Sequence, residues 1–313
     1  MNRVRAMEKA ARPSDTAPPD GLATRVTALV KGYSLEVSSR SARDLDACLT
    51  HLEKGSDVYI NFIAGDDLGA KVRCAAALRG SGFHPVPHIG ARHLHSESQL
   101  DDLLARLAGE AGVERALLIG GDAAGPAGPY ESSLAVLASG LLAKHGFRAA
   151  GFAGYPEGHP QIAASVLKRA LADKLALAAQ QGIAPYIVTQ FCFDAPAVIA
   201  WLAALRRDGV SVPVRIGLAG PANVATLVRY AIRCGVTNSI RALTGRADRF
   251  LRLVSDSAPD ALVRGIAEDE AAAGIAGLHF FPFGGVAKTA RWANALKRGR
   301  FRANAGGGLD VEV

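Results

Sequence analysis

Four cysteines stand in 313 residues (Cys48, Cys74, Cys192 and Cys234), and none is spaced as CxxC or in a zinc-ligand pattern. That scarcity and scatter argue against a disulfide framework or a structural zinc site, and predict reduced thiols in a cytoplasmic protein. No apolar run approaches the ~20 residues needed to span a bilayer, so no membrane association is expected. An apolar signal core is missing after Arg3 and Arg5, which again predicts a cytoplasmic chain. The fingerprint GxGxxG is missing after the first predicted strand, which removes the usual mark of an open dinucleotide-binding sheet. The net charge of +7 comes from dispersed basic residues, with no RNA- or DNA-binding signature among them. Nucleic acid is therefore not an expected partner, and a basic surface suits an anionic small molecule or cofactor instead.

What is present is enough apolar residue for a large core, 49% of the chain against 21% charged. Residues 1–24 are polar, carry Pro13, Pro18 and Pro19, and lack periodicity, so a flexible arm is predicted there. Eight apolar runs follow, at 34–37, 58–63, 85–89, 116–119, 149–153, 186–193, 212–218 and 278–283. Most are near-continuous, as parallel strands buried on both faces require. The segments between them read as helices. Ser41 to Asp44 has the shape of a capping motif, and Leu100, Leu103, Leu104 and Leu107 share one helical face. Further helices are predicted over 132–145, 161–181, 195–207, 222–234 and 285–297, with one or two extra over 236–273. Strands alternating with helices, joined by right-handed crossovers, close into a (β/α)8 barrel over residues 25–300. Gly306-Gly307-Gly308 marks 301–313 as a flexible tail.

A barrel of this kind places its reactive groups at the carboxyl ends of several strands. Those ends carry Glu36, His88, Asp122, Tyr155, Glu157, His159, Gln190 and Asp194, with Asp66 and Asp67 just beyond the rim. Glu36, between Leu35 and Val37, is costly to bury unless partnered. It reads equally as a general acid of raised pKa or as a salt-bridged barrel residue. Gly120-Gly121-Asp122 lets the backbone approach a ligand closely beside one carboxylate, or simply ends a strand in a turn. Asp194 reads as a helix cap. His88, His93, His95 and Glu97 match no familiar metal spacing, and capping, surface placement or ligand contact is favoured over a metal site.

Taken together these fragments resemble the methylenetetrahydrofolate reductase family, from about Tyr33 to Leu296. The carriers are Ser34-Leu35-Glu36, Pro87-His88, Gly121-Asp122, the run from Tyr155-Pro156-Glu157 to His159-Pro160, Thr189 to Asp194, and His279-Phe280-Phe281. The resemblance implies FAD in the barrel mouth and hydride transfer between reduced flavin and the one-carbon unit of folate. By carry-over, Glu36 is the acid that opens methylenetetrahydrofolate to its iminium form, and Asp122 tunes charge where the hydride moves. Gln190, with Phe193 and Phe281, would bind the folate. His88, Gly120, Gly121, Asp122, Tyr155, His159 and Lys174 would line the FAD. Tetrahydrofolate derivatives are then the small-molecule partners, and a homo-oligomer is expected. The chain departs from the family where arginine is usual at Gly120, where a nicotinamide-stacking aromatic falls at Val224, and at Gly284-Gly285. Weak use of NADH or NADPH follows from those losses. A folate- or flavin-binding barrel with little turnover, and a flavin-independent folate lyase or methyltransferase, are the alternatives.

Overall fold

The structure, a computed structural model, describes residues 20–234 and 256–313. Eight strands form its centre: β1 (Ser34–Val37), β2 (Asp57–Ile60), β3 (His84–Gly90), β4 (Arg115–Ile119), β5 (Ala149–Gly154), β6 (Ala184–Cys192), β7 (Val214–Ala219) and β8 (Gly277–Phe281). Each pairs in parallel with its sequence neighbour, and β8 returns to β1, where Ser34 faces His279, to close the barrel. The expected (β/α)8 architecture is the one observed.

Helices α1 (Asp20–Val30), α2 (Ala42–His51), α3 (Leu68–Gly80), α4 (Glu97–Ala111), α5 (Ser133–Ala138) and α6 (Leu141–Lys144) surround the first half. Around the second run α7 (Ala164–Gln180), α8 (Ala195–Arg207), α9 (Val224–Arg233), α10 (Asp260–Glu268) and α11 (Val286–Lys297). Ser41 Oγ accepts from Asp44 N at 3.3 Å, so the capping motif starts α2 as its spacing predicts. The predicted 132–145 helix is instead two short ones, broken where Gly140 takes φ +72°. Such a conformation suits glycine and ends a helix. Helix α3 has no counterpart among the predicted helices, because its alanines and glycines blur the apolar period. Asp67 caps it by accepting from Gly69 N at 2.9 Å and Ala70 N at 3.0 Å, so this acid shapes a helix end.

Both ends of the barrel domain differ from expectation. The arm predicted over 1–24 gives way at Asp20 to α1, and residues 1–19 lie outside the described residues. Leu22, Val26, Leu29 and Val30 bury one face of α1. Of the extra helices expected over 236–273, residues 236–255 lie outside the described residues, and α10 and a 3-10 turn at Glu270–Gly274 follow. The predicted flexible tail is an antiparallel hairpin, β9 (Phe301–Ala303) with β10 (Leu309–Val311). Phe301 and Leu309 are buried in the main core, and Arg264 Nη1 donates to Asn304 O at 2.9 Å. The three glycines make the hairpin turn, with Gly307 at φ +82°.

Inside the barrel, Tyr59, Val86, Leu117 and Val188 form a buried layer with Tyr186 and Ile119 packed on it. Gly151 makes room for that layer, since a Cβ there would lie 2.5 Å from the Tyr186 ring. Below, at the amino ends of the strands, Asp57 holds two arginines. Arg115 Nη1 donates to Asp57 Oδ2 at 3.1 Å and Arg215 Nη2 to the same oxygen at 3.2 Å. Asp57→Asn keeps the volume and removes the charge both guanidiniums share. Losing one partner of a buried ion pair costs about 3–5 kcal/mol, and partial exposure of Arg115 brings the expected loss to about 2–3 kcal/mol. Urea unfolding of the variant and the wild type at pH 7 measures it.

Candidate functional site

At the carboxyl ends of the strands, the closing pair β8–β1 and its neighbours β2 and β3 gather a buried polar cluster. Glu36 is centred between two imidazoles, with Oε1 at 3.5 Å from His88 Nε2 and 3.5 Å from His279 Nε2. His279 is held from below by Ser34 Oγ, 2.9 Å from its Nδ1. Asn61, one residue beyond β2, hydrogen-bonds the Glu36 carboxyl from the third side. The Tyr59 ring meets the His279 ring edge-on at 4.5 Å and closes the cluster underneath. His88 Nε2 and Asn61 Oδ1 are buried without a hydrogen-bond partner. Buried polar atoms are nearly always paired, so two orphans converging on one carboxyl mark a place for a ligand's polar groups.

Burial governs the ionisation of all three groups. It raises the Glu36 pKa, against the pull of His88, Asn61 and Lys71. It lowers His88 to about 4, against the pull of Glu36, and His279 to about 3. Both rings are therefore neutral at pH 7, and the carboxyl between them holds its proton to a higher pH than a solvated glutamate does. This is the environment in which a carboxylic acid serves as a proton donor near neutrality.

An aromatic wall continues from this cluster. The Phe281 ring lies 5.1 Å from His279 and 5.5 Å from Phe191, which in turn meets Phe193 at 5.7 Å. Phe283 stacks on Tyr230 of α9, with centroids 4.0 Å apart and planes at 11°. Gln190 sits where β6 bulges: Val188 pairs with Arg215, but Phe191, three residues on, pairs with Gly217. Gly217 N donates to Thr189 Oγ1 at 2.8 Å, and a Cβ on Gly217 would lie 2.3 Å from Thr189 O. Bulges re-aim side chains at sites of this kind. The Gln190 Oε1 accepts from Phe191 N at 3.1 Å, a local turn that would open for the amide to contact a ligand.

The remaining predicted residues fall on the rim or beyond it. Asp122 is exposed and bonded to His93 Nε2 at 2.9 Å, and the His93 ring packs on Phe62 at 4.6 Å. Gly121, at φ +89°, would carry a Cβ 2.8 Å from His93, so its close approach is to this histidine. A Cβ on Gly120 would meet nothing within 4 Å. Tyr155 packs its ring edge-on against His159 at 5.2 Å. Glu157 Oε1 accepts from Phe193 N at 2.6 Å and Asp194 N at 3.0 Å, pinning the loop after β6. Asp194 occupies the N-cap position of α8, yet its side chain makes no capping hydrogen bond, while its own N–H is held by the Glu157 carboxylate. Asp66 Oδ2 accepts from Ile63 N at 2.9 Å and ties its own loop. Lys174 lies outside the barrel, 5.7 Å over the Phe152 ring. It lines a cleft of about 560 Å³ with Ser132 and Ser133 beside α5 and with Ser165 and Arg169 of α7.

No protein-family model matches the chain. Among solved structures it is similar to dihydropteroate synthase (FolP) from Thermus thermophilus, at 15% identity and a TM-score of 0.46, covering 85% of this chain and 93% of that one. It is also similar to a proposed lyase/mutase from Burkholderia cenocepacia, at 12% identity and a TM-score of 0.46, covering 90% of each chain. At such low identity and superposition the likeness carries no functional information. No described helix is long and apolar enough to cross a membrane.

Three residues of the site escape the sequence reading. Asn61 ends a strand as an ordinary turn residue would. Arg92 braces the loop after β4, donating from Nη1 to Ala123 O at 3.2 Å and from Nε to Glu131 O at 3.0 Å. Its charge also helps lower the His159 pKa, second to burial. The third is Lys71, which heads a buried helical stripe with Ala75 and Leu78, and a lysine in such a stripe is a visible signal.

Neutral burial of the histidines has a thermodynamic signature. The unfolded chain binds protons at its histidines near pH 6.5, while the folded one does so only near 4 and 3. Between those values the unfolded state holds more protons, so stability falls as pH falls below 6.5. Each ring contributes about 1–2 kcal/mol of that loss by pH 5. His279→Asn, which can still bond Ser34, should shrink the difference in urea-unfolding free energy between pH 7 and pH 5 by about 1–2 kcal/mol. An unchanged difference would mean that His279 titrates normally in the fold.

Proposed function

We propose that this protein is an oxidoreductase of reduced folates, interconverting 5,10-methylene- and 5-methyltetrahydrofolate with a flavin, and that Glu36 is its general acid. One observation carries the reading: a buried carboxyl of raised pKa, flanked by two neutral imidazoles, opens onto an aromatic wall at the barrel mouth. A flat heterocycle on the Phe281 face would bring a ring nitrogen to that carboxyl. Glu36 would give its proton to the nitrogen as the ring C–N bond breaks, leaving the one-carbon unit as an iminium ready to accept a hydride. The conjugate carboxylate is then stabilised by the Asn61 amide and the nearby Lys71 charge, and takes the proton back on reversal. Gln190 and Phe193 would hold the far edge of the heterocycle.

The residues present fit a flavin nucleotide in part. His88, with its unpartnered Nε2, and the Tyr155–His159 pair line the mouth, and the open space beside Gly120 admits backbone contact. Asp122 on the rim would act at a distance, through His93. The arginine expected at Gly120 is absent, and Arg92, after β3 and with its backbone N donating to Gly120 O at 3.0 Å, is the cation that can take its place. When bound, the flavin would supply the hydride chemistry. Val224 is buried at the start of α9 and offers no face to a nicotinamide, so NADH and NADPH use is expected to be weak. A flavin-free folate lyase or methyltransferase is the second reading, since Lys174 on the outer wall leaves a flavin phosphate one expected cation short.

Glu36→Gln should retain ligand binding and slow folate-linked turnover by about 10²–10⁴-fold, the usual worth of general acid catalysis. Anaerobic stopped-flow with 5-methyltetrahydrofolate measures it, and a rate within roughly threefold of wild type removes Glu36 from the role. Arg92→Ala should shed flavin on dialysis, because a charge-assisted phosphate contact is worth about 1.5–3 kcal/mol. Lys174→Ala should retain it if Arg92 is the main phosphate cation. A purified protein without flavin absorbance, and with none after reconstitution, would move the assignment to the second reading.

A further inference from the structure

Lys71 is fully buried, and among the described residues no carboxylate lies within ion-pair distance of its Nζ. The ammonium instead donates to Asn61 O at 3.1 Å and to His88 O at 3.0 Å, and lies 5.1 Å from the centre of the Phe62 ring. Those two carbonyls belong to the two residues whose side chains bracket Glu36 from β2 and β3. The backbone ladder between these strands ends one position earlier, at Ile60 and Pro87. The N–H groups that β3 turns toward β2 come from His84 and every second residue after it, with His84 N donating to Ser56 O at 2.9 Å, so Pro85 and Pro87 face away from this seam. Beyond the last rung of that ladder, a lysine from the helix behind ties the two strand ends together.

We propose that Lys71 is a positioning residue of the Glu36 site: its ammonium clasps the ends of β2 and β3, holds Asn61 and His88 against the carboxyl, and sets how readily that carboxyl ionises. The functional consequence rests on the reading of Glu36 as the working acid, whereas the clasp and the charge coupling are properties of the free protein. The groups facing the two charges are few. Glu36 is faced by His88, His279, Asn61 and Lys71, and Lys71 by Asp66, Cys74 and Glu36. Burial is the main influence on Lys71 and brings its pKa down to about 8, so at pH 7 it is still charged.

The test reads the carboxyl itself. In protein labelled with side-chain carboxyl 13C-glutamate, the Glu36 resonance is the one lost in Glu36→Gln, and its titration gives the midpoint. Lys71→Gln keeps a donor and removes the charge, and Lys71→Met removes both. Both should raise the Glu36 midpoint by a few tenths of a pH unit, less than the ~1 unit or more that losing an opposite charge at ion-pair distance gives. The Met variant should move it further, because Asn61 is then released. A midpoint unchanged in both folded variants overturns the proposal. Should the Lys71 variants fail to fold, the coupling is read from the other side, since it must be reciprocal. In Glu36→Gln carrying ε-13C-lysine, the Lys71 midpoint should fall relative to wild type, and an unchanged midpoint is equally fatal. Turnover plays no part in either reading. A shifted midpoint in a protein inactive toward folates would sustain the clasp and sink the proposed reaction.

Discussion

The removal of one carboxyl group from water organises the rest of this structure. Glu36 lies in a strand whose four residues are all buried, and an isolated charge there is untenable. The surroundings answer by hydrogen bonding and by withholding charge. Asn61 binds the carboxyl directly, His279 is fixed by Ser34, and His88 completes the ring of contacts. Neutral imidazoles are the consequence of the same desolvation, so the acid and its neighbours are tuned by one physical cause. A more solvated barrel mouth would ionise all three groups differently and leave an ordinary surface carboxylate.

Holding such a cluster requires a rigid frame on a side where the frame is weak. The β2–β3 ladder stops at Ile60 and Pro87, just short of Asn61 and His88, which must be aligned there. Strength comes from elsewhere: the aromatic layer of Tyr59 and Tyr186, the ion cluster on Asp57, and helices whose apolar stripes are continuous. On the opposite side of the mouth, the bulge in β6 and the tight backbone at Gly217 lend the Gln190 segment its own irregular geometry. Irregular backbone is thus confined to the strand ends, where ligands enter.

The strands were legible because burial on both faces leaves near-continuous apolar runs, and 34–37, 116–119 and 149–153 match β1, β4 and β5 to within a residue. The terminal segments were not, since α1 and the β9–β10 hairpin owe their order to packing against α10 and α11, which no local pattern encodes. Glu36 and His88 could be placed from their positions at the carboxyl ends of predicted strands, and Phe281 only from the family resemblance. Asn61 could not, because its importance lies in the register between β2 and β3, and Lys71 shows in the sequence only as a lysine in an apolar stripe, not as a group leaning over that seam. Lys174 illustrates the reverse error. Ten residues into α7, it stands about 15 Å along the helix from its start, so matching a family position did not bring it to the mouth.

The charged floor beneath the aromatic layer makes the barrel a blind well. Asp57, Arg115 and Arg215 seal one end, and Tyr59 and Tyr186 fill the shaft above them. Molecules can therefore reach Glu36 from above only and must leave by the same opening. Two occupants would have to stack, with the deeper one arriving first and departing last. Order of entry becomes a matter of depth, and the geometry of a plugged cylinder imposes a queue on whatever chemistry the carboxyl performs.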